Sequence, residues 1–425
     1  MRQLLPRAWD AQAADRRRRW TPLLLAVAAL LMAWETAPTL DERFARARCC
    51  LRQWFGRRCK LGGTYQGIAK AMGRDKLHQT LAVHLRRRMR CGCGVHWRRL
   101  GFCCFAADGT RIDCPRTSAN KKALGRGGRQ RSGPQLCLTS LWHMGSGLPW
   151  SWRIGRADSC ERYHLRDMLA ELPTGSLLVC DAGFAGYNLL RQMRRRQLHL
   201  LVRVGSNIHL LRRLGCRREG KQTVYLWPGG GRGRSRRRSP LPLRLIKLVK
   251  PRHKRHGRKT PRAAYVVTDL PASRLSQHAA QTLYAMRWGV EVFYRGLKQK
   301  LQRRKMLSAS PRRARVELHW AMLGLWLIGL LAVRAAIATG HDPLGWSVAL
   351  ALRAVRDAVR GEYGLAPALA AAAAGADHYR RTGSKTARRW PHKKRDHPPG
   401  PPHVRDATSS EISRAREVYD ERVAA

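Results

Sequence analysis

Acidic side chains are scarce in this chain of 425 residues, with 27 Asp and Glu set against 84 Lys and Arg. A carboxylate placed directly behind an apolar run is therefore conspicuous. Two occur: Asp108 follows Phe105-Ala106-Ala107, and Asp181 follows Leu178-Val179-Cys180. In an open α/β sheet the carboxyl ends of the strands are where side chains leave the packed interior and converge on a crevice that binds ligands. A pair of such aspartates can coordinate Mg2+, a hard cation that prefers oxygen ligands and keeps several waters. Each Asp also has a plainer use as the cap of the turn or helix behind it. A third acid, Glu291, lies in Tyr284-Ala-Met-Arg287-Trp-Gly-Val-Glu291-Val-Phe-Tyr-Arg-Gly-Leu-Lys298. There Tyr284, Arg287, Glu291 and Lys298 stand three, four and seven positions apart. At 3.6 residues per turn all four share one stripe of a helix. The plainer reading is a solvated face on which Arg287 and Glu291 make an i,i+4 pair worth about 0.2–0.5 kcal/mol.

The elements needed to position these residues follow from the apolar periodicity. Residues 1–100 read as helical. Thr64 can cap a short helix with Ile68, Ala69 and Met72, Gly73 breaks it, and a second helix carries Leu77, Leu81 and Leu85, a spacing compatible with a helix-turn-helix. Arg86–Arg88 and Arg90 on that second helix either meet phosphates or form a solvated basic end. From Gly101 the pattern turns to strands: 102–107 ending in a turn at Asp108-Gly109-Thr110, then 135–144, 149–154, 176–180 and 199–204, with helices over 160–172 and 186–195. Residues 205–270 read as a β insertion with basic loops at 232–238 and 250–259, and 281–301 as one long amphipathic helix. Beyond Gly375 the chain is basic and proline-rich, and reads as disordered apart from a short helix near 410–422. The fold class is α/β.

A formal net charge of +57 excludes an ordinary neutral or acidic enzyme and makes a polyanion, nucleic acid first, the expected partner. The apolar runs 23–34 and 320–333 read as buried helices and no membrane anchor is expected, the second run falling short of the ~20 residues of a spanning helix. Twelve cysteines in a long chain read as reduced thiols of a cytosolic protein, and Cys91-Gly-Cys93 with Cys103-Cys104 does not have zinc-site spacing.

Taken together, Asp108-Gly-Thr, Asp181-Ala-Gly-Phe-Ala-Gly-Tyr187-Asn-Leu-Leu and Tyr-x2-Arg-x3-Glu-x6-Lys resemble the DDE transposases of the insertion-sequence-four family. The order of motifs is the family's, and the resemblance covers roughly residues 100–335. It implies a ribonuclease-H-like core whose metal-binding and catalytic triad is Asp108, Asp181 and Glu291, with a β insertion between the last two. It implies two Mg2+ ions, which Mn2+ can replace, acting in cut-and-paste transposition by cleavage at element ends and strand transfer into target DNA. By the same resemblance Tyr284, Arg287 and Lys298 hold DNA phosphates, and an aromatic of the insertion stacks on a flipped base. Trp227, the insertion's only tryptophan, is the candidate, with core packing as its plainer role, and Trp288 reads as structural. The expected division is a helical DNA-binding region 1–100, core 101–204, β insertion 205–275, second core part 276–340 and a helical, basic tail 341–425. The expected partners are double-stranded DNA, as terminal inverted repeats and target, and a second copy of the chain in the active complex. The expected place is the bacterial cytoplasm, with the nucleoid. A transposase remnant that binds DNA without cutting it is the alternative, against which the intact triad speaks. An RNA-binding protein would explain the charge but not the ordered acids.

Overall fold

The structure, a computed structural model, describes residues 5–11, 20–56, 61–74, 76–126, 133–215, 219–228, 238–249, 263–362, 364–374 and 400–423. Two compact units emerge. A helical unit comprises Met1–Arg99, Gly109–His164 and Gly289–Arg381; a sheet unit comprises Leu100–Asp108, Leu165–Trp288 and Thr382–Ala425. The N-terminal helices are thus not a body of their own. Most of the basic stretches 232–238 and 250–259, and the prolines 391–399, lie outside the described residues.

The helical unit begins with α1 (Ala8–Ala11), α2 (Pro22–Trp34), α3 (Leu40–Phe55), α4 (Tyr65–Arg74) and α5 (Leu77–Gly92). α2 is apolar on every face and buried from Leu23 to Trp34, as a helix without a polar side must be. Thr21 caps its start, and Pro22 occupies the first turn, where its missing N–H is not needed. Its last carbonyls are satisfied by Arg303, whose Nη2 donates to Met32, Ala33 and Glu35 at 3.1, 2.8 and 3.0 Å. The expected Thr64 cap is present, its Oγ accepting from the Gly67 amide at 3.3 Å. β1 (Cys104–Asp113) reaches this unit from Gly109 onward, followed by α6 (Ser118–Leu124) and a hairpin of β2 (Gln135–His143) and β3 (Leu148–Arg156). The hairpin carries an irregularity at Leu141/Trp142.

From Leu165, within α7 (Glu161–Met168), the chain belongs to the sheet unit until Trp288. There β4 (Leu177–Cys180), α8 (Tyr187–Arg195), β5 (His199–Val204), β6 (His209–Arg212), β7 (Thr223–Leu226), β8 (Leu241–Val249) and β9 (Ala263–Thr268) follow in sequence. β1, β4 and β5 are parallel neighbours, and the insertion strands extend the same sheet because β9 pairs antiparallel with β5. The order in this unit is β10-β6-β7-β8-β9-β5-β4-β1. β10 (His403–Asp406) and α14 (Ser409–Val423) come from the tail. The tail helix was expected; the strand was not. Its partner is the edge strand β6, and Ala415 and Ile412 of α14 pack with Leu211, Leu214, Tyr225 and Trp227.

Two expectations about the site elements are corrected. β1 does not end at Asp108 but runs through Asp108-Gly109-Thr110 to Asp113. The single helix expected over 281–301 is instead α9 (Gln277–Met286), a break at 287–288, α10 (Gly289–Arg295) and a π-helical turn, Gly296–Lys300. At the break Gly289 lies against the Trp142 ring, so close that a Cβ there would come within 2.1 Å of it. The helical unit closes with α11 (Pro311–Ala338), α12 (Val348–Arg360) and α13 (Leu365–Ala374). α11 is longer than the apolar run suggested. By length and composition it could cross a bilayer, but 72% of its most apolar window is buried in the protein, and it packs against α2, α5, α12 and α13.

Candidate active site

The two aspartates are brought together by strand register. β1 and β4 pair in parallel up to Ala107 opposite Cys180, and Asp108 and Asp181 are the next residue on each. Parallel neighbours lie about 4.8 Å apart, so side chains at one level on adjacent strands share a face. β4 and β5 pair up to Cys180 opposite Val202, which brings Arg203 to the same level. A row Asp108, Asp181, Arg203 therefore crosses three strands. The positions before it, Ala107, Cys180 and Val202, are fully buried, whereas all three members of the row are half-buried. The apolar level locks the register, and the next level opens toward solvent.

Asp181 also fills the plainer role foreseen for it. Its Oδ1 accepts from the Gly183 amide at 2.9 Å and caps the short turn Ala182–Phe184. That bond fixes the carboxyl group and leaves Oδ2 outside the cap. The electrostatics locate the remaining charges. Burial pushes the Cys180 thiol far up; Asp181 and Asp108 add to the shift, while Arg287 opposes it. Burial also raises the Tyr284 phenol, opposed by the cations Arg287 and Arg203 and reinforced by Asp181. Tyr284 is hydrogen-bonded to Arg203. The guanidinium of Arg287, 8% exposed, stands 5.8 Å from the Tyr284 ring centre. Two carboxylates, two guanidiniums and a phenol thus interact within the sheet unit.

Arg203 was missed in the sequence. Its signal was a cation inside His-Leu-Leu-Val-Arg-Val, an otherwise apolar strand, and its meaning depended on a register that the sequence does not display.

The other half of the signature belongs to the helical unit. Glu291 is half-buried in the first turn of α10. Lys298, on the π-helical turn, donates from Nζ to Thr110 Oγ at 2.6 Å. Burial lowers its pKa, partly offset by Asp113. The Asp-Gly-Thr and Tyr-Arg-Glu-Lys motifs are therefore joined by a hydrogen bond between their last members. Gly109 has its own reason: a Cβ there would come 2.1 Å from the carboxyl carbon of Glu161, whose Oε1 accepts from Arg111 at 3.1 Å. Of the four signature residues Tyr284 lies on α9, Arg287 in the break, Glu291 on α10 and Lys298 on the π-helical turn, so one continuous helix does not carry them. Among the described residues, no three His, Cys, Asp or Glu side chains are gathered so as to hold a metal ion.

Trp227 is buried, its indole N–H donates to the Arg238 carbonyl at 2.6 Å, and the Arg414 guanidinium covers its ring at 4.1 Å. In this conformation it is a packed side chain and not an open platform for a base. Trp288, read as structural, is instead 55% exposed.

Residues 99–327, more than half of the chain, match a family described as "Transposase DDE domain". No curated protein matches the sequence. Among solved structures, the cryo-EM structure of a piggyBac transposase synaptic complex with hairpin DNA aligns at 12% identity and a TM-score of 0.41, covering 86% of this chain and 77% of that one.

Proposed function

The chain belongs to the family of transposase DDE domains, and on that premise we propose that it performs cut-and-paste DNA transposition, cleaving element ends and joining them to target DNA. The observation that carries the reading is the row in which Asp108 and Asp181 occupy one level of adjacent parallel strands, with cations beside them. Three parallel strands β1, β4 and β5, with a hairpin in the same chain order as expected, support a ribonuclease-H-like core with the β insertion built onto its edge.

The donor set fits a divalent metal. Two carboxylates are held at one level, one of them oriented by a backbone amide, and hard oxygen ligands of this kind suit Mg2+ or Mn2+. Asp108 and Asp181 would hold such an ion, with Glu291 as the third ligand that the family resemblance implies, and the metal would supply Lewis acidity to an in-line displacement at phosphorus. The protein's own groups do the positioning. Arg203 and Arg287 carry charge-assisted donors suited to phosphate oxygens, the Tyr284 phenol stays protonated and can donate, and Lys298, held on Thr110, supplies a point charge. The α4–α5 pair and the excess positive charge would bind double-stranded DNA, and the joining of two ends calls for two copies of the chain. The cytoplasm, with the nucleoid, is where such a substrate is met.

The alternative is a DNA-binding remnant that no longer cuts, against which the intact Asp108, Asp181 and Glu291 speak. One experiment separates the two. With DNA carrying the cognate ends and Mg2+, the native chain should cleave, and Asp108→Asn, Asp181→Asn and Glu291→Gln should each lose at least a hundredfold in rate while retaining DNA affinity. Binding without cleavage by the native chain would establish the remnant. Full cleavage by any one variant would remove that residue from the site.

A further inference from the structure

The motif that begins at Asp181 contains Tyr187-Asn188, two residues to which the proposed chemistry gives no part. In the sheet unit they open α8, which follows the short turn that Asp181 caps at the carboxyl end of β4. The parallel strands β1 and β5 end in the same direction, and this is the side on which an open α/β sheet receives its ligands.

Both side chains reach the segment that leads into β8. The buried Tyr187 hydroxyl donates to the Ser239 carbonyl at 2.7 Å, and Asn188 Oδ1 accepts from Nη1 of Arg238 at 2.5 Å. The Trp227 indole donates to the Arg238 carbonyl at 2.6 Å. Two consecutive residues of the insertion are thus tied down by three side chains, two of them from α8.

What this clamp displays is a cation. Arg238 is half-buried, and among the described residues it has no acidic partner. Its acceptor is a neutral amide. A carboxylate at position 188 would hold the guanidinium more strongly, as an ion pair, but would also cancel its charge. The amide fixes the planar fork and leaves the charge and the other N–H donors to an anion. Two more guanidiniums lie over the rings of the clamp, Arg191 at 6.0 Å from the centre of Tyr187 and Arg414 at 4.1 Å from that of Trp227. Positive charge gathered in this way favours a polyanion.

We propose that Arg238 binds a backbone phosphate of the DNA end and that Asn188 is the positioning residue that aims it, with Tyr187 and Trp227 holding the backbone beneath. The inference rests on the reading of the chain as a DNA transposase. It gives Trp227 a part as a buried strut.

The probe is a fluorescein-labelled DNA duplex carrying an element end, and its affinity for the full chain is measured across a range of salt concentrations. Arg238→Gln keeps a donor for Asn188 and loses the charge. It should weaken binding about tenfold at low salt and reduce the slope of log K against log salt by about one phosphate contact. Asn188→Ala should weaken binding about threefold and have no further effect in the Arg238→Gln background, because it acts through that guanidinium. Asn188→Asp decides by sign. It strengthens the bond to Arg238, which would serve a purely structural clamp, yet it should weaken DNA binding more than Asn188→Ala does, since carboxylate and phosphate compete for one cation. Binding by Asn188→Asp as tight as by Asn188→Ala, or tighter, overturns the inference. So does a native salt slope in Arg238→Gln, or a separate loss from Asn188→Ala in the double variant. Failure of the native chain to bind the duplex at all overturns the functional reading, and this inference with it.

Discussion

Arg203 tests whether the row across β1, β4 and β5 is a working surface or a packing detail. Its guanidinium bonds to Tyr284 and stands at the level of Asp181, where a phosphate oxygen would compete for the same donors. Arg203→Ala should lower end cleavage at least tenfold and reduce the slope of log K against log salt by about one phosphate contact. Lysine at this position should restore the salt slope but little of the rate, because an ammonium cannot reproduce the planar fork of a guanidinium. If Arg203→Ala cleaves normally and keeps the native salt slope, the row is structural. The Glu161 carboxylate occupies the space of the side chain that Gly109 lacks, so Gly109→Ala should destabilise the fold by about 1–3 kcal/mol, measured by denaturant unfolding. Unchanged stability would show that Glu161 moves aside at little cost.

Among the elements, the break between α9 and α10 has the clearest consequence. At the start of α10, residue 289 lies so close to the Trp142 ring that any side chain would overlap it, and glycine meets the requirement. Gly289→Ala should therefore cost about 1–3 kcal/mol, and Trp142→Phe in the same chain should recover part of it. Strict additivity of the two changes would refute the contact. This break also shows how far the elements were legible beforehand. The strands ending in Asp181 and near Asp108 are apolar runs with a polar residue behind them, and the tail helix and the buried α2 follow from composition alone. The helix break was not legible, because the periodicity of 281–301 continues through it. Arg203 was overlooked and Trp227 over-read because register and the approach of α14, with Arg414 over the indole, are tertiary facts. The edge pairing of β10 with β6 depends on only four residues, His403–Asp406, too few to stand out in a basic, proline-rich tail.

For the molecule as a whole, the positive charge bears on stability as well as on DNA. A chain of formal charge +57 with 16 histidines gains still more positive charge on acidification, and self-repulsion works against the compact state. Two histidines couple that trend directly to folding. His319 Nδ1 accepts the Trp152 indole N–H at 3.0 Å, and burial pushes its pKa down to about 3. His143 accepts the Ser146 amide at Nδ1 and faces the Trp97 carbonyl through Nε2, and burial lowers its pKa to about 4. Each imidazole must be neutral, because protonation would put a hydrogen on the nitrogen that is accepting one. In the unfolded chain both titrate near pH 6.5. Above that pH neither state binds the proton and the stability is fully present; as pH falls from 6.5 toward 4 the unfolded chain binds protons that the folded one refuses, and stability is lost. The slope should approach 1.4 kcal/mol per pH unit for each histidine, an order-of-magnitude figure. Denaturant unfolding at pH 7, 6 and 5 should show this decline, and His319→Gln, which can still accept from Trp152, should flatten it in part, with His143 and the burial-lowered His78 and His84 keeping the rest. An unchanged slope in that variant would place the acid sensitivity in general charge repulsion and not in the buried imidazoles.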